Sequence, residues 1–528
     1  MTGVALLLLA AAVAFGLSRW SRLPAIPLLL LAGVGLRRAG DAFGLAVPED
    51  LIRQNVELGI AMLVFAAGVN LSPRRMRDGL GPVAAVALIQ FFALGSAGYG
   101  CARLLGYEPV VAAYVGCALS ASSTLVAVRQ LQERRQMFEP FGRLTLGVLL
   151  IQDALIILFM VALERTPEGW SSVAGGLGAT VALGGLAFAL HRWAIPWITT
   201  RGALDEEQRM LGSLALLFGM AGLASALDLP FVAGAFLAGF ALAAFPANGL
   251  VRGMLDSLSA FFLALFFISV GALLVVPSAE LLAHGLIFAA VLLAVTVILV
   301  AVVAEIAGYS TRASIETALL LSQTSEFSLV VALAGVGAGA ISGELFSMIA
   351  LLTVGTMTLT PFVARENVAW RLMKLHPRYK KGERAALELG GHAVVLGYGR
   401  AGPGTLKFLR ERAVPVAVVD DDAAVIRGLI RQGVPCIQGD ASDERTLRQA
   451  NAREARIVLC SIRRTRDAQK VLDHMAGSDV PVIVRTFESD DAAMVEAAGG
   501  TPLRTAEISA ELFVDWLDAN PAKPAAAD

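Results

Sequence analysis

The sequence predicts a polytopic α-helical membrane protein with a C-terminal α/β domain of Rossmann type. Three observations predict it. Hydrophobic residues make up 56% of the 528 residues and charged ones only 16%, a balance that suits lipid better than water. The charge is also uneven: no lysine precedes Lys374, and beyond it charge is dense and apolar runs are short. Finally, a glycine-rich turn follows an apolar run at His392–Leu396. The expected domains are therefore 1–365 in the membrane, a polar linker over 366–390, and a soluble domain over 391–528. The net charge of −1 offers no basic footprint for nucleic acid, so no nucleic-acid partner is expected. Four widely spaced cysteines without a CxxC suggest neither a disulfide framework nor a zinc site.

Apolar segments fall near 3–18, 23–36, 51–70, 79–105, 109–131, 142–163, 171–190, 207–227, 230–245, 256–276, 280–307, 312–335 and 343–364. That makes about thirteen spans, at roughly 20 residues each. The first, from Val4 to Leu17, lacks a basic leading region and continues through Arg19-Trp20-Ser21-Arg22 into another apolar run. It reads as a membrane helix rather than a signal peptide. An odd count places the termini on opposite sides. With the N-terminus outside, fifteen arginines fall on one set of loops and Arg37, Arg38, Arg53, Arg103 and Arg165 on the other. The positive-inside rule then puts the C-terminal region in the cytoplasm.

The sixth span, Gly142 to Leu163, contains the pair Gln152-Asp153. A carboxylate there costs roughly 2.5–3.5 kcal/mol on insertion scales and persists when it faces a partner or a cavity. A hydrogen-bonded structural Asp is one reading; a cation- and proton-binding carboxylate is the other. Two further spans contain polar breaks, Ser120-Ala121-Ser122-Ser123-Thr124 in the fifth and Ser322-Gln323-Thr324-Ser325-Glu326 in the twelfth. Hydroxyls can serve backbone groups freed by an unwound turn, although Ser and Thr are also common glue between packed helices. The breaks lie seven spans apart, so their helices run in opposite senses. Corresponding breaks of this kind mark inverted-repeat transporters with a midplane site.

Several stretches carry a resemblance: Glu57-Leu58-Gly59, Leu63-Val64-Phe65 and Leu71-Ser72-Pro73-Arg74-Arg75; SSTLV at 122–126 and IQDALI at 151–156. GAFLAGFAL at 234–242, LFFISVGALL at 265–274 and SQTSEFSLV at 322–330 complete the series. In this order they resemble Kef-type monovalent cation/proton antiporters of the cation:proton antiporter-2 family. The resemblance implies a homodimer with a dimerisation domain and a mobile core, in which two crossed broken helices and the Asp helix move the ion by elevator-like alternating access. It implies that Asp153 binds the metal cation (K+ or Na+) and the proton. Gln152 is the uncharged neighbour typical of potassium-selective members, Ser122, Ser123 and Thr124 line the first crossover, and Glu326 follows the second. There are three departures. The third-span motif ends Gly68-Val69-Asn70 instead of in a glutamate. The eleventh span has no lysine, only Glu305. The acidic loop linked to glutathione gating is replaced by Gly249-Leu250-Val251-Arg252-Gly253, which argues against glutathione control.

In the soluble part, the strand 392–396 leads into Gly397-Tyr398-Gly399-Arg400-Ala401-Gly402 and an amphipathic helix to Arg412. A second strand, Val416 to Val419, ends in Asp420. This is the context in which glycines admit a pyrophosphate at a helix N-terminus and an acidic residue meets the ribose. Further strands end at Gly439-Asp440-Ala441, run from Ile457 to Ser461, and cover Val482-Ile483-Val484 up to Arg485. The GDAS stretch and the strand-end Arg resemble the N-terminal regulator-of-potassium-conductance (RCK) domain. That likeness implies NAD(H) or an adenine nucleotide (AMP or ATP) held by Gly397, Gly399, Gly402, Asp420 and Asp440. For Arg485 a ligand contact and a solvent-facing strand end both stand. No acid or base is placed for hydride transfer, so a transporter is expected and not an enzyme.

The reading is a K+-preferring cation/proton antiporter of a prokaryotic-type inner membrane, regulated by nucleotide. The alternative is a nucleotide-gated potassium channel or efflux pathway. Such a channel requires a carbonyl-lined filter, and Thr353-Val354-Gly355-Thr356 lacks the Tyr-Gly of one.

Overall fold

The computed structural model describes residues 2–21, 25–43, 47–70, 80–134, 136–137, 139–201, 205–243, 247–375, 389–399, 401–462, 464–486 and 489–519. They divide into two compact units, 1–307 with 314–369, and 308–313 with 370–528.

The first unit is helical throughout. Its helices are α1 (Thr2–Ser21), α2 (Ala25–Phe43), α3 (Glu49–Asn70), α4 (Leu80–Leu104), α5 (Pro109–Ser120), α6 (Thr124–Glu133), α7 (Pro140–Arg165), α8 (Trp170–Ala189), α9 (Ile195–Arg201), α10 (Glu206–Ala226), α11 (Phe231–Leu242), α12 (Ala247–Leu273), α13 (Ala279–Ile306), α14 (Thr311–Leu321), α15 (Glu326–Gly337) and α16 (Gly343–Val363). Each expected apolar segment is helical over most of its described part, and the fifth and twelfth are each split in two. Ten stretches are long and apolar enough to cross a membrane among the described residues, and Phe231–Leu242 and Ser257–Leu273 are shorter apolar helices. The two polar breaks interrupt helices as expected, between α5 and α6 and between α14 and α15. The stretch 249–253, expected as a loop, instead forms early turns of α12. The motif residues 71–75 lie outside the described residues.

Starts follow local chemistry. Pro109 and Pro140 open α5 and α7, where a missing N–H costs nothing. Asp205 and Gln208 form a capping box on α10, and Ser278 and Ser342 cap α13 and α16. Small residues let the backbones approach. A Cβ on Gly68 of α3 would stand 2.2 Å from the Phe236 carbonyl of α11, and one on Gly33 of α2 would stand 2.1 Å from the Ile268 carbonyl of α12. With little hydrophobic drive between helices in lipid, this close contact is what holds them together.

The linker expected over 366–390 differs in part: it begins as α17 (Glu366–Leu375), and the second unit starts at Trp370. That unit contains β1 (Ala393–Leu396), α18 (Gly402–Glu411), β2 (Val416–Asp420), α19 (Ala423–Arg431), β3 (Cys436–Gln438), α20 (Glu444–Gln449), β4 (Ile457–Cys460), α21 (Thr465–Met475), β5 (Val482–Thr486), α22 (Ser489–Ala497), β6 (Thr501–Arg504) and α23 (Thr505–Ala519). The strands are all parallel, in the order β3-β2-β1-β4-β5-β6. This is the doubly wound Rossmann order, whose crevice opens at the carboxyl ends of the strands. Every residue of β1 and β2 is buried, as helices on both faces of a parallel sheet require. The sequence reading did not anticipate β6, whose alternation of exposed and half-buried residues marks an edge.

Candidate functional site

The two helix breaks satisfy each other. An interrupted helix leaves carbonyls and N–H groups that lipid cannot serve. Ser122, in the first break, donates its hydroxyl to the carbonyl of Leu321, the last residue of α14, at 2.7 Å. In return Ser328, in the first turn of α15, donates to the carbonyl of Ala118 near the end of α5. Ser123 caps α6 by accepting from the Val126 N–H at 3.3 Å, and its hydroxyl donates to Glu326 Oε2 at 2.7 Å. Ser325 caps α15, which places Glu326 in that helix's first turn, at the positive end of its dipole. The breaks are thus crossed, and serine hydroxyls join them.

Asp153 and Gln152 of α7 face this crossing. Thr124 Oγ1 donates to Asp153 Oδ2 at 3.0 Å, and the Ser122 N–H donates to Gln152 Oε1 at 3.2 Å. Ser122, Ser123, Gln152, Asp153 and Glu326 are all buried. Asp153 Oδ1 and Gln152 Nε2 have no protein hydrogen-bond partner among the described residues. The structure therefore brings together all six ion-site residues named from sequence. It adds one that was missed, Gln90 of α4, whose Nε2 donates to Ser122 Oγ at 3.3 Å while its Oε1 is buried without a partner. The available signal was a lone amide inside the apolar span Leu80–Leu104. Thr324 is likewise joined to Thr356 of α16, at 3.1 Å.

In the soluble unit, Gly397 takes φ +81° and Gly399 φ +37°, backbone that favours glycine. Gly402 leaves room for the Tyr398 ring, 2.4 Å from where a Cβ would stand. Asp420 at the end of β2 accepts from the Tyr398 N–H at 2.6 Å and the Asp422 N–H at 2.8 Å. It thereby ties the glycine turn to the neighbouring strand. Burial pushes its carboxyl above the ordinary range, against those amide bonds. Asp440, just beyond β3, accepts from the Ser442 N–H and hydroxyl at 2.9 and 2.8 Å and from Arg312 at 2.6 Å. Burial works to raise its carboxyl too, but the Arg312 charge and these hydrogen bonds together hold it below the usual range. Gly397, Gly399, Gly402 and Asp420 thus share one end of the sheet, with Asp440 just beyond the end of the next strand. Arg485 stands half-buried on β5, two strands from β1.

Comparison with known proteins gives these arrangements a context. The transmembrane sodium/hydrogen exchanger model matches residues 4–366, and the TrkA-N domain model matches residues 393–501. The chain is 24% identical over 509 residues to the putative cation/proton antiporter YbaL of Escherichia coli, covering 91% of this chain and 90% of that one. It is 26% identical to the putative K+ efflux antiporter KefB of Alkalimonas amylolytica, covering 94% and 77%. To the glutathione-regulated potassium-efflux protein KefC of an Enterobacter species it is 28% identical, covering 80% and 69%. The solved sodium/proton antiporter MjNhaP1 of Methanocaldococcus jannaschii superimposes with a TM-score of 0.54 at 16% identity, over 71% of this chain and 100% of that one, which shows a shared fold. The Kef-type resemblance read from the motifs is borne out. With the exchanger match covering well over half of its length, the chain belongs to the transmembrane sodium/hydrogen exchanger family, as a cation/proton antiporter, a transporter and not an enzyme, that carries a C-terminal TrkA-N domain.

Proposed function

We propose that the protein exchanges potassium for protons at Asp153, one for one, by elevator-like alternating access, as a homodimer in a bacterial inner membrane with the N-terminus outside. The observation that carries this reading is Asp153, buried beside the crossing of two broken helices with one carboxylate oxygen lacking a protein partner. A carboxylate in a water-poor cavity needs neutralising, and a proton or a monovalent cation can each do it. Competition for one shuttling site suffices for exchange. Gln152, Ser122, Ser123 and Thr124 supply uncharged oxygens around the cation, and Glu326 holds the second break against the first. Preference for potassium over sodium rests on Gln152 and on relatives named as K+ efflux antiporters.

Regulation by NAD(H), AMP or ATP rests on the soluble unit. The glycine turn fits a pyrophosphate: Gly397 has a positive φ, and among the described residues a Cβ at Gly399 would meet nothing within 4 Å and no side chain caps α18. Asp420, although bonded to backbone amides, has carboxylate lone pairs beyond those bonds that a ribose hydroxyl can use. Arg485 is the more distant candidate for the same ligand. No thiol conjugate enters this scheme, since Gly249-Leu250-Val251-Arg252-Gly253 stands in place of an acidic gating stretch. The test is reconstitution of the full chain in proteoliposomes containing a pH-sensitive dye, with KCl and NaCl pulses compared. Potassium-driven proton movement that disappears in Asp153→Asn supports the reading. Near-normal exchange by that variant overturns it.

A further inference from the structure

The six-residue segment Gly308–Ala313 belongs to the second compact unit, and its last three residues form the first turn of α14. Arg312 is the centre of a buried charge cluster there, with its side chain 9% exposed. Its guanidinium lies 2.6 Å from Asp440 and 2.9 Å from Asp467, donates to Ser442 at 3.4 Å, and sits 5.5 Å from the centre of the Trp370 ring. Lys470 closes the cluster, 3.3 Å from Asp467 and 4.4 Å from the same ring. Two residues earlier, Ser310 donates to Asp421 at 3.2 Å, next to Asp420.

We propose that Asp440 and Asp467 form a binding site for the guanidinium of the chain's own Arg312, and that this clamp restrains α14 according to what occupies the nucleotide crevice. Three points carry the proposal. A buried guanidinium with two carboxylates and a hydroxyl is a strong and directional anchor, far from the weak ion pairs of a surface. The clamp holds α14 at its first turn, and the same helix ends at Leu321, whose carbonyl is held by Ser122 at the ion site. The clamp also grips the strand ends of the crevice: Asp440 follows β3, Asp421 follows β2, and Gly439 donates to the Asp420 carbonyl at 3.0 Å. A ligand that binds the clamped and released arrangements unequally shifts their balance, and with it the freedom of α14. This inference rests on the nucleotide reading above for its ligand, but not for the clamp itself.

The experiment uses the full chain in proteoliposomes and compares Arg312→Gln, the double variant Asp440→Asn with Asp467→Asn, and the triple variant. Release of the clamp is expected to raise potassium-driven exchange at least threefold in each. The triple variant should be no faster than either, because all three remove one restraint. In the unaltered protein NADH, AMP or ATP inside the vesicles should change the rate, and Arg312→Gln should lose that response while binding the same nucleotide within threefold. Exchange unchanged in Arg312→Gln, or effects that multiply in the triple variant, would overturn the clamp. Should Arg312→Gln fail to fold, the single Asp440→Asn variant, which keeps its shape and its Ser442 bonds, decides by the same readout. If the unaltered protein binds no nucleotide, the nucleotide reading fails, and the rate comparison still judges the clamp.

Discussion

Each unit of this protein holds a pair of carboxylates largely shielded from solvent, and the two pairs are kept in opposite ways. Asp440 and Asp467 share Arg312, with Lys470 added on Asp467. Asp153 and Glu326 have hydroxyls instead, Thr124 on one and Ser123 on the other. The first pair is neutralised by the fold. The second has no such counter-ion among the described residues, and on the proposed reading a mobile ion or proton neutralises it. A counter-ion built into the chain makes a structural element, whereas its omission makes a binding site, because a buried charge without a partner is too costly to persist. The omission is affordable only where the charge alternates between two exchangeable neutralisers.

Four substitutions or conditions test that contrast, in falling order of effect. Asp153→Asn should reduce exchange about 100-fold or more while leaving thermal unfolding of the full chain within roughly 1 kcal/mol, since an amide satisfies Thr124 and removes a charge. A normal exchange rate would erase the functional side of the comparison. Asp467→Asn should do the reverse. Leaving Arg312 and Lys470 undercompensated should cost about 3–5 kcal/mol of unfolding free energy, with exchange altered several-fold and not abolished. An unfolding temperature like that of the parent would show that this pair is not structural.

Next is pH. The Asp440 carboxyl is held below its ordinary value of about 3.9 by Arg312 and Ser442, against burial. A lowered folded value means that its stabilisation is fully present above about pH 4 and is lost as pH falls through the folded value. Asp420 is shifted the other way by burial. Its contribution is therefore largest below the unfolded value and is lost as pH rises through the raised one. Unfolding of the full chain scanned from pH 7 to pH 3 should lose stability below about pH 4, and Asp440→Asn should flatten part of that loss. An unchanged acid limb in the variant would assign it to other groups. The smallest effect is expected from Gln90→Leu, which removes one hydrogen bond to Ser122, worth about 1 kcal/mol. It should weaken apparent potassium affinity two- to tenfold, read from the concentration dependence of the pulses. No change would leave Gln90 as packing only.

The sequence by itself determined the broad division into a helical and an α/β part, most of the described helices and the glycine turn, and it singled out the candidate ion-site carboxylate. These are properties of composition, of long apolar runs and of local motifs, and they survive whatever the chain does elsewhere. Asp153 was legible because a charge inside an apolar run is conspicuous at any position. The short strand β6 was not, since its four residues, Thr501–Arg504, carry little apolar pattern. Gln90 was overlooked because a single amide has no local signature until Ser122, thirty-two positions on, is brought to it. The same holds for Asp440, which the motif assigned to nucleotide and the fold brought to Arg312, 128 positions away. Which polar groups neutralise or satisfy one another depends on distances of a few ångströms between residues far apart in the chain. Only the tertiary structure decides that, because hydrogen bonds and ion pairs act at contact, whereas the preferences that mark a helix or a strand act between neighbours in sequence.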